Sequence, residues 1–242
     1  MMKCAFLTMT AASMLALGFG AAQAADLAPV PIIEAPPPFS WTGFYAGVHA
    51  GYAWGGQDDN QSSLFNDPIP ADNFDMDGFI GGVHGGYNWQ MDQFVFGIEG
   101  DIDYTNIKGS EGYAGYVPNL DYDYLSGSLE LESNWQASLR LRAGYAVDNF
   151  LMYATGGVAF ADGKMTSSGY SDYVGAYSSD DSNTHVGWTI GLGAEYAFSP
   201  NWIARAEIRY SDFGSKTYEL WEGPVESSWD QTAVTVGLSY KF

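Results

Sequence analysis

Basic residues are scarce in this chain: nine lysines and arginines stand against 29 aspartates and glutamates, a formal net charge of −20 at pH 7. Such a balance repels polyanions and excludes nucleic acid as a partner. Cysteine is nearly absent. The single one, Cys4, lies within the first 24 residues, so a chain cut after them would carry neither thiol nor disulfide. Charge of either sign is thin at 16 % of residues, against about 25 % in ordinary soluble domains. Beyond the N-terminal region no apolar run approaches the roughly 18 residues of a membrane-spanning helix, which excludes helical spans. Glycine and aromatic residues are plentiful instead, with 30 glycines and 16 % aromatics.

The N-terminus has the layout of an export signal over residues 1–24. Lys3 supplies the positive region, Ala11 to Gly20 the short apolar stretch, and Ala22-Gln23-Ala24 the small-x-small cleavage site. Residues 25–39 are rich in proline and without period, and read as an extended periplasmic linker.

From residue 40 to 242 the texture changes to short segments of period two. They cover 44–54, 78–90, 94–104, 135–146, 150–162, 185–198, 202–212 and 230–242. Three connections are tight, at 91–93, 147–149 and 199–201. Four are long and polar, at 55–77, 105–134, 163–184 and 213–229. Short turns at one end and long loops at the other are the layout of an all-β, eight-stranded antiparallel transmembrane barrel, with turns in the periplasm and four long loops outside the cell. Length agrees: about 11 residues at roughly 3.3 Å each, tilted by about 45°, span about 25 Å.

Alternation also assigns the faces. Phe44, Val48, Tyr52 and Trp54 oppose Tyr45, Gly47, His49 and Gly51; Val186, Trp188, Ile190 and Leu192 oppose His185, Gly187, Thr189 and Gly191. An eight-stranded lumen holds only modest side chains, so the greasy set must face lipid. In the fifth segment the two faces are nearly equally apolar. Aromatics at both ends of the greasy face, such as Phe79 and Trp89 or Trp135 and Tyr145, read as two interfacial girdles.

Ten charged residues then point inward: Arg140, Arg142, Arg205, Arg209 and Lys241, with Glu99, Asp101, Asp103, Glu195 and Glu207. Balanced charges in a narrow lumen are expected to pair as a plug, because an unpaired buried ion costs several kcal/mol. The tight turn at Pro200 makes paired numbers sum to about 400, setting Glu195 against Arg205. A sum of about 133 across the first hairpin sets His49 opposite His84, with Glu99 or Asp101 alongside. No serine stands in a recognisable nucleophile setting, and no loop has EF-hand spacing, so no catalytic site, metal or cofactor is expected. The acidic loops read as a solvated surface bridged to lipopolysaccharide by divalent cations.

The run Phe39-Ser-Trp-Thr-Gly-Phe-Tyr-Ala-Gly-Val-His-Ala-Gly-Tyr-Ala-Trp54 resembles the small alphaproteobacterial outer-membrane proteins, the surface-antigen, porin-like and haemin-binding barrels related to the OmpA-type membrane anchor. Gly85 to Trp89, Arg205 to Gly214 and Leu238 to Phe242 look like the later strands of the same family. Val234, Val236, Leu238, Tyr240 and the terminal Phe242 resemble the signal read by the barrel-insertion machinery. The resemblance implies residence in the cell outer membrane among its lipids, a role in envelope integrity, and loops open to a host or environmental surface ligand. The alternative it leaves is a binding or transport barrel, for haemin or small ions. Protease added to intact cells is expected to cut within the four long connections alone; cleavage within residues 25–39 would reverse the topology.

Overall fold

Side chains of alternating character suit a pleated ribbon with one face in lipid, and the backbone follows that pattern into eight strands. The computed structural model describes residues 39–59, 75–117, 123–172, 175–220 and 223–242. The expected export signal and all but residue 39 of the linker lie outside the described residues. The strands are β1 (Gly43–Asp59), β2 (Asp75–Met91), β3 (Phe94–Val117), β4 (Asp123–Val147), β5 (Phe150–Ser171), β6 (Gly175–Ala197), β7 (Trp202–Leu220) and β8 (Gly223–Lys241). Each pairs antiparallel with its chain neighbours, and β1 closes on β8 through pairs such as Val48↔Leu238 and Ala50↔Val236. Closure leaves no sheet edge, which lipid requires because it offers the backbone no hydrogen bonds.

Two of the tight turns depend on aspartates, Asp92 at φ 55° and Asp148 at φ 52°, the left-handed region that short polar side chains tolerate. At the third, Ser199 Oγ accepts the backbone N–H of Trp202 at 3.0 Å. At the opposite end the strands outrun the apolar alternation. β3 continues to Val117 and β4 begins at Asp123, so much of the connection read at 105–134 is an extended hairpin. Outside the membrane the outer face meets water instead of lipid, so its apolar period stops while the hydrogen-bond ladder goes on.

Three ladder irregularities fall at one level, just beyond Tyr104, Trp135 and Tyr210 of the outer aromatic girdle. Each has an acceptor for its freed N–H groups. Asn106 Oδ1 accepts from Phe79 at 2.7 Å, Asp162 Oδ1 from Asn134 and Trp135 at 2.8 and 2.7 Å, and Asp212 Oδ1 from Gly214 at 2.8 Å. Bulges re-aim strands, and this collar stands where the barrel leaves the apolar band.

The lipid face is as the alternation assigns it. Phe44, Val48, Val83, Ile102, Leu141, Leu192 and Val236 are exposed, whereas Glu99, Arg140, Thr189 and Ser239 are buried. The lumen, however, is not polar throughout. Toward the excursions Met76, Ile80, Ile107, Leu131, Met165, Phe213, Tyr218 and Trp229 form an apolar cluster. At the turn end Trp41, Val95, Leu151, Tyr153 and Ile203 form a second, with Phe39 against it. This explains β5, whose inward Leu151, Ala159, Ala161 and Met165 belong to those clusters.

The β6–β7 register is as expected, with Glu195↔Arg205. The β1–β2 register is not: His49 stands opposite Gly82 and His84 opposite Gly47, two residues from the expected pairing. A slip of two preserves the faces. The expected pairing put two imidazoles at one level, whereas the observed one lays each bulky group over a glycine. A Cβ at Gly47 would come within 2.7 Å of His84 Nε2, and one at Gly82 within 2.2 Å of Asp103 Oδ1.

Val236→Arg places a charge in lipid at a cost of about 2–4 kcal/mol near the midplane. Its folded fraction, read from heat-modifiable gel migration, is expected to collapse, while the inward Thr235→Ser folds normally. Equal behaviour of the two would reverse the face assignment.

Candidate functional site

Between the two apolar clusters, strands β3, β4, β6 and β7 aim nine of the ten expected charges at one another. Glu99, fully buried, is the hub. Its carboxylate accepts from Arg140 Nη2 at 2.6 Å, Arg205 Nη1 at 2.9 Å, Arg142 Nη1 at 3.4 Å and the Tyr45 hydroxyl at 2.7 Å. Asp101 accepts from Arg140 at 2.8 Å, Arg209 at 3.0 Å and Ser138 Oγ at 2.7 Å. Glu207 takes Arg140 at 2.6 Å, Arg205 at 2.7 Å and the Tyr153 hydroxyl at 2.9 Å. Asp103 holds Arg209 at 3.0 Å.

Glu195 lies at 2.9 Å from Arg142. The expected Glu195–Arg205 ion pair does not form although the two are Cα partners, because Arg205 turns to Glu99 and Glu207. Lys241 also departs from expectation. It stays at the turn-end mouth, its Nζ 5.5 Å from the Phe39 ring centroid.

All four arginines of the chain enter this network, and the described lysines stay out of it. The guanidinium is a rigid fork of five donors, weakly hydrated and suited to burial; an ammonium is a strongly hydrated point charge. Arg140 uses its fork to join three carboxylates from β3 and β7. Arg142 lies 4.0 Å over the Tyr153 ring, a cation–π contact that covers its flat face.

The histidines extend the network into a chain. His49 Nε2 is 2.7 Å from Asp103 Oδ1, His49 Nδ1 is 3.1 Å from His84 Nδ1, and His84 Nε2 is 2.7 Å from Ser239 Oγ. Ser239 therefore does have a histidine partner, which its sequence context does not reveal. Tyr45, Ser138, Tyr153 and Ser239 complete the site. Parity places Tyr45 and Ser239 inside, but Ser239 is 155 residues from His84 and nothing local links them.

The remaining space is small. The lining of His49, His84, Arg140, Arg205, Glu207, Arg209 and Thr235 encloses no measurable void. Beside Asp101, Asp103, Gln136, Ser138 and Arg209 a cavity of about 10 Å³ remains, about the size of one water. Trp41 stops the turn end, its backbone N–H donating to Gln90 Oε1 at 2.7 Å. At the excursion end His185 meets the Tyr218 hydroxyl at 2.6 Å, under Trp229 stacked on Phe213. Among the described residues no group of three or more His, Cys, Asp or Glu is placed to hold a metal ion.

On the outer wall above the girdle, Lys108 and Glu132 form an exposed ion pair. Their mutual hydrogen bond raises the lysine pKa and lowers that of the carboxyl.

Glu99→Gln leaves three arginines short of a carboxylate and is expected to cost about 3–5 kcal/mol. Glu195→Gln, which deprives Arg142 alone, is expected to cost less. Urea unfolding in lipid vesicles followed by tryptophan fluorescence reads the difference; equal losses would remove Glu99 from the centre of the network.

Proteins of similar sequence are named for the bacterial outer membrane. The chain is 31 % identical over 229 residues to the 25 kDa outer-membrane immunogenic protein of Brucella abortus, covering 94 % of this chain and 92 % of that protein. It is 35 % identical over 213 residues to the 22 kDa outer membrane protein of Rhizobium leguminosarum, covering 86 % and 82 %. It is also 35 % identical over 219 residues to the 31 kDa outer-membrane immunogenic protein of Brucella melitensis, covering 84 % and 85 %. The outer membrane protein beta-barrel domain matches residues 12–242. With all eight strands inside that match, the chain belongs to the outer membrane protein beta-barrel family and resides in the cell outer membrane.

Proposed function

We propose that this protein is a sealed structural barrel that braces the outer membrane and carries acidic excursions on the cell surface. The observation behind this reading is the filled lumen: Trp41 at one end, the arginine–carboxylate network in the middle and the Phe213–Trp229 stack at the other. A conduit needs a continuous wet path, and among the described residues the network leaves beside Asp101 and Arg209 only a water-sized cavity. The transport alternative, for small ions or haemin, would require this packing to open.

Catalysis finds no support in the same geometry. Ser239, His84, His49 and Asp103 follow the order of a nucleophile, base and orienting acid. However, Ser239 is 1 % exposed and no void adjoins the histidines. Acyl transfer needs a substrate carbon about 3 Å from the hydroxyl, which this packing excludes.

The partners follow from the surfaces. The exposed apolar band and its aromatic rims suit lipid, and the acidic outer wall suits divalent bridges to lipopolysaccharide. Val234, Val236, Leu238, Tyr240 and Phe242 lie on the lipid face of β8, the strand that closes the ring; we assign them to recognition by the insertion machinery. The Brucella relatives are named immunogenic, which accords with excursions open to a host or environmental surface. The purified protein is expected to give no steady single-channel openings in planar bilayers. Reproducible openings in the wild type would replace this reading with transport.

A further inference from the structure

Four arginines share the lumen with five carboxylates, Glu99, Asp101, Asp103, Glu195 and Glu207, so the network is one positive charge short. An unbalanced charge in a water-poor interior costs several kcal/mol, and a site so placed attracts a cation. With void space for about one water, a metal ion with its coordination shell does not fit; a proton does. We propose that the His49–His84 pair is a binding site for a single proton, which completes the charge balance of the sealed lumen.

The contacts define how many protons the pair takes. Nδ1 of His49 faces Nδ1 of His84 at 3.1 Å, so one of these nitrogens must carry hydrogen and the other must not. The Asp103 carboxylate only accepts, so the His49 nitrogen 2.7 Å away carries a hydrogen. In the empty state, Ser239 donates to His84 Nε2, His84 Nδ1 donates to His49, and His49 Nε2 carries its hydrogen beside the Asp103 carboxylate. With one proton more, His49 bears hydrogen on both nitrogens and becomes the fifth cation, against Asp103. The hydrogen between the rings then belongs to His49, and His84 changes tautomer and donates from Nε2 to Ser239 Oγ. In neither state do two hydrogens or two lone pairs face each other. A second proton would set two N–H groups against each other at 3.1 Å, so the pair saturates at one.

The surroundings favour the charge on His49 and not on His84. Facing the pair are Tyr45 on β1, Glu99, Asp101 and Asp103 on β3, Arg140 on β4, Arg205, Glu207 and Arg209 on β7, and Thr235 and Ser239 on β8. Three arginines against four carboxylates leave this neighbourhood negative by one. Asp103 shares its carboxylate between Arg209 and His49, whereas His84 contacts only a neutral hydroxyl and the other ring among its hydrogen-bond partners. The backbone is cut to fit: Gly47 admits the His84 ring, Gly82 admits the Asp103 carboxylate, and Gly237 lies against His49 Cβ at 3.0 Å from where a Cβ would stand.

The test is nitrogen NMR of the wild-type protein, labelled at histidine, folded in nanodiscs and titrated between about pH 4 and about pH 9. His185, in the upper cluster, is assigned and set aside through His185→Gln. The expected result is uptake of one proton by the pair, with His49 becoming imidazolium and His84 moving its hydrogen from Nδ1 to Nε2 at the same midpoint. Asp103→Asn, which removes the carboxylate beside His49, should move that midpoint down by at least about one pH unit. Two separate single-ring titrations, no uptake by either ring across the range, or an unchanged midpoint in Asp103→Asn would each overturn the proposal. The wild-type spectra decide even if the variant does not fold.

Discussion

Eight strands enclose a lumen only as wide as the side chains that fill it, and much of this structure is an accommodation to that width. Many of the large polar groups that point inward have a glycine across the ladder from them. A Cβ at Gly86 would meet the Tyr45 hydroxyl at 2.6 Å, one at Gly193 the Tyr153 ring at 2.3 Å, and one at Gly97 Asn88 Oδ1 at 2.4 Å. The abundance of glycine in the chain is thus largely a matter of volume on the inner face. It also explains the β1–β2 register, which lays the His84 ring over Gly47.

Because the lumen is narrow it is nearly dry, and charges within it must be matched locally. Arginine meets that need where lysine does not, since one guanidinium serves several carboxylates at fixed angles. Arg140 and Arg205 tie β3 and β4 to β7 across the interior, so the ring is braced along its diameter as well as around its circumference. A network of this kind adds little net energy over an apolar filling, but breaking one member leaves a buried charge unpaired. The two apolar clusters seal it at either end, and their contacts are those of an ordinary protein core.

Function follows from the same packing. On the proposed reading the filled barrel is a rigid stake in the membrane, and beyond the bulge collar its strands run on as hairpins. Within the lumen the charge imbalance falls beside two histidines, the pair proposed to take the added proton.

Much of this was legible in the residues. Alternation of Phe44, Val48 and Tyr52 with Gly47, His49 and Gly51 determines the strands, the face toward lipid and hence the barrel, because a period of two admits only two faces. The same parity turns ten charges inward, of which nine meet in the network, and the turn at Pro200 determines the Glu195↔Arg205 register, because a short connection leaves no slack. The tertiary structure decided the rest. Which arginine meets which carboxylate depends on side chains reaching across the lumen between strands far apart in the chain, as Arg140 does to Glu207, 67 residues away, and Arg205 does to Glu99, 106 residues away. The β1–β2 register depends on room for an imidazole, since the long connection there allows a slip. The Ser239–His84 contact and the Trp41 stopper arise only on closure, when the last strand meets the first and the entry segment folds beneath them.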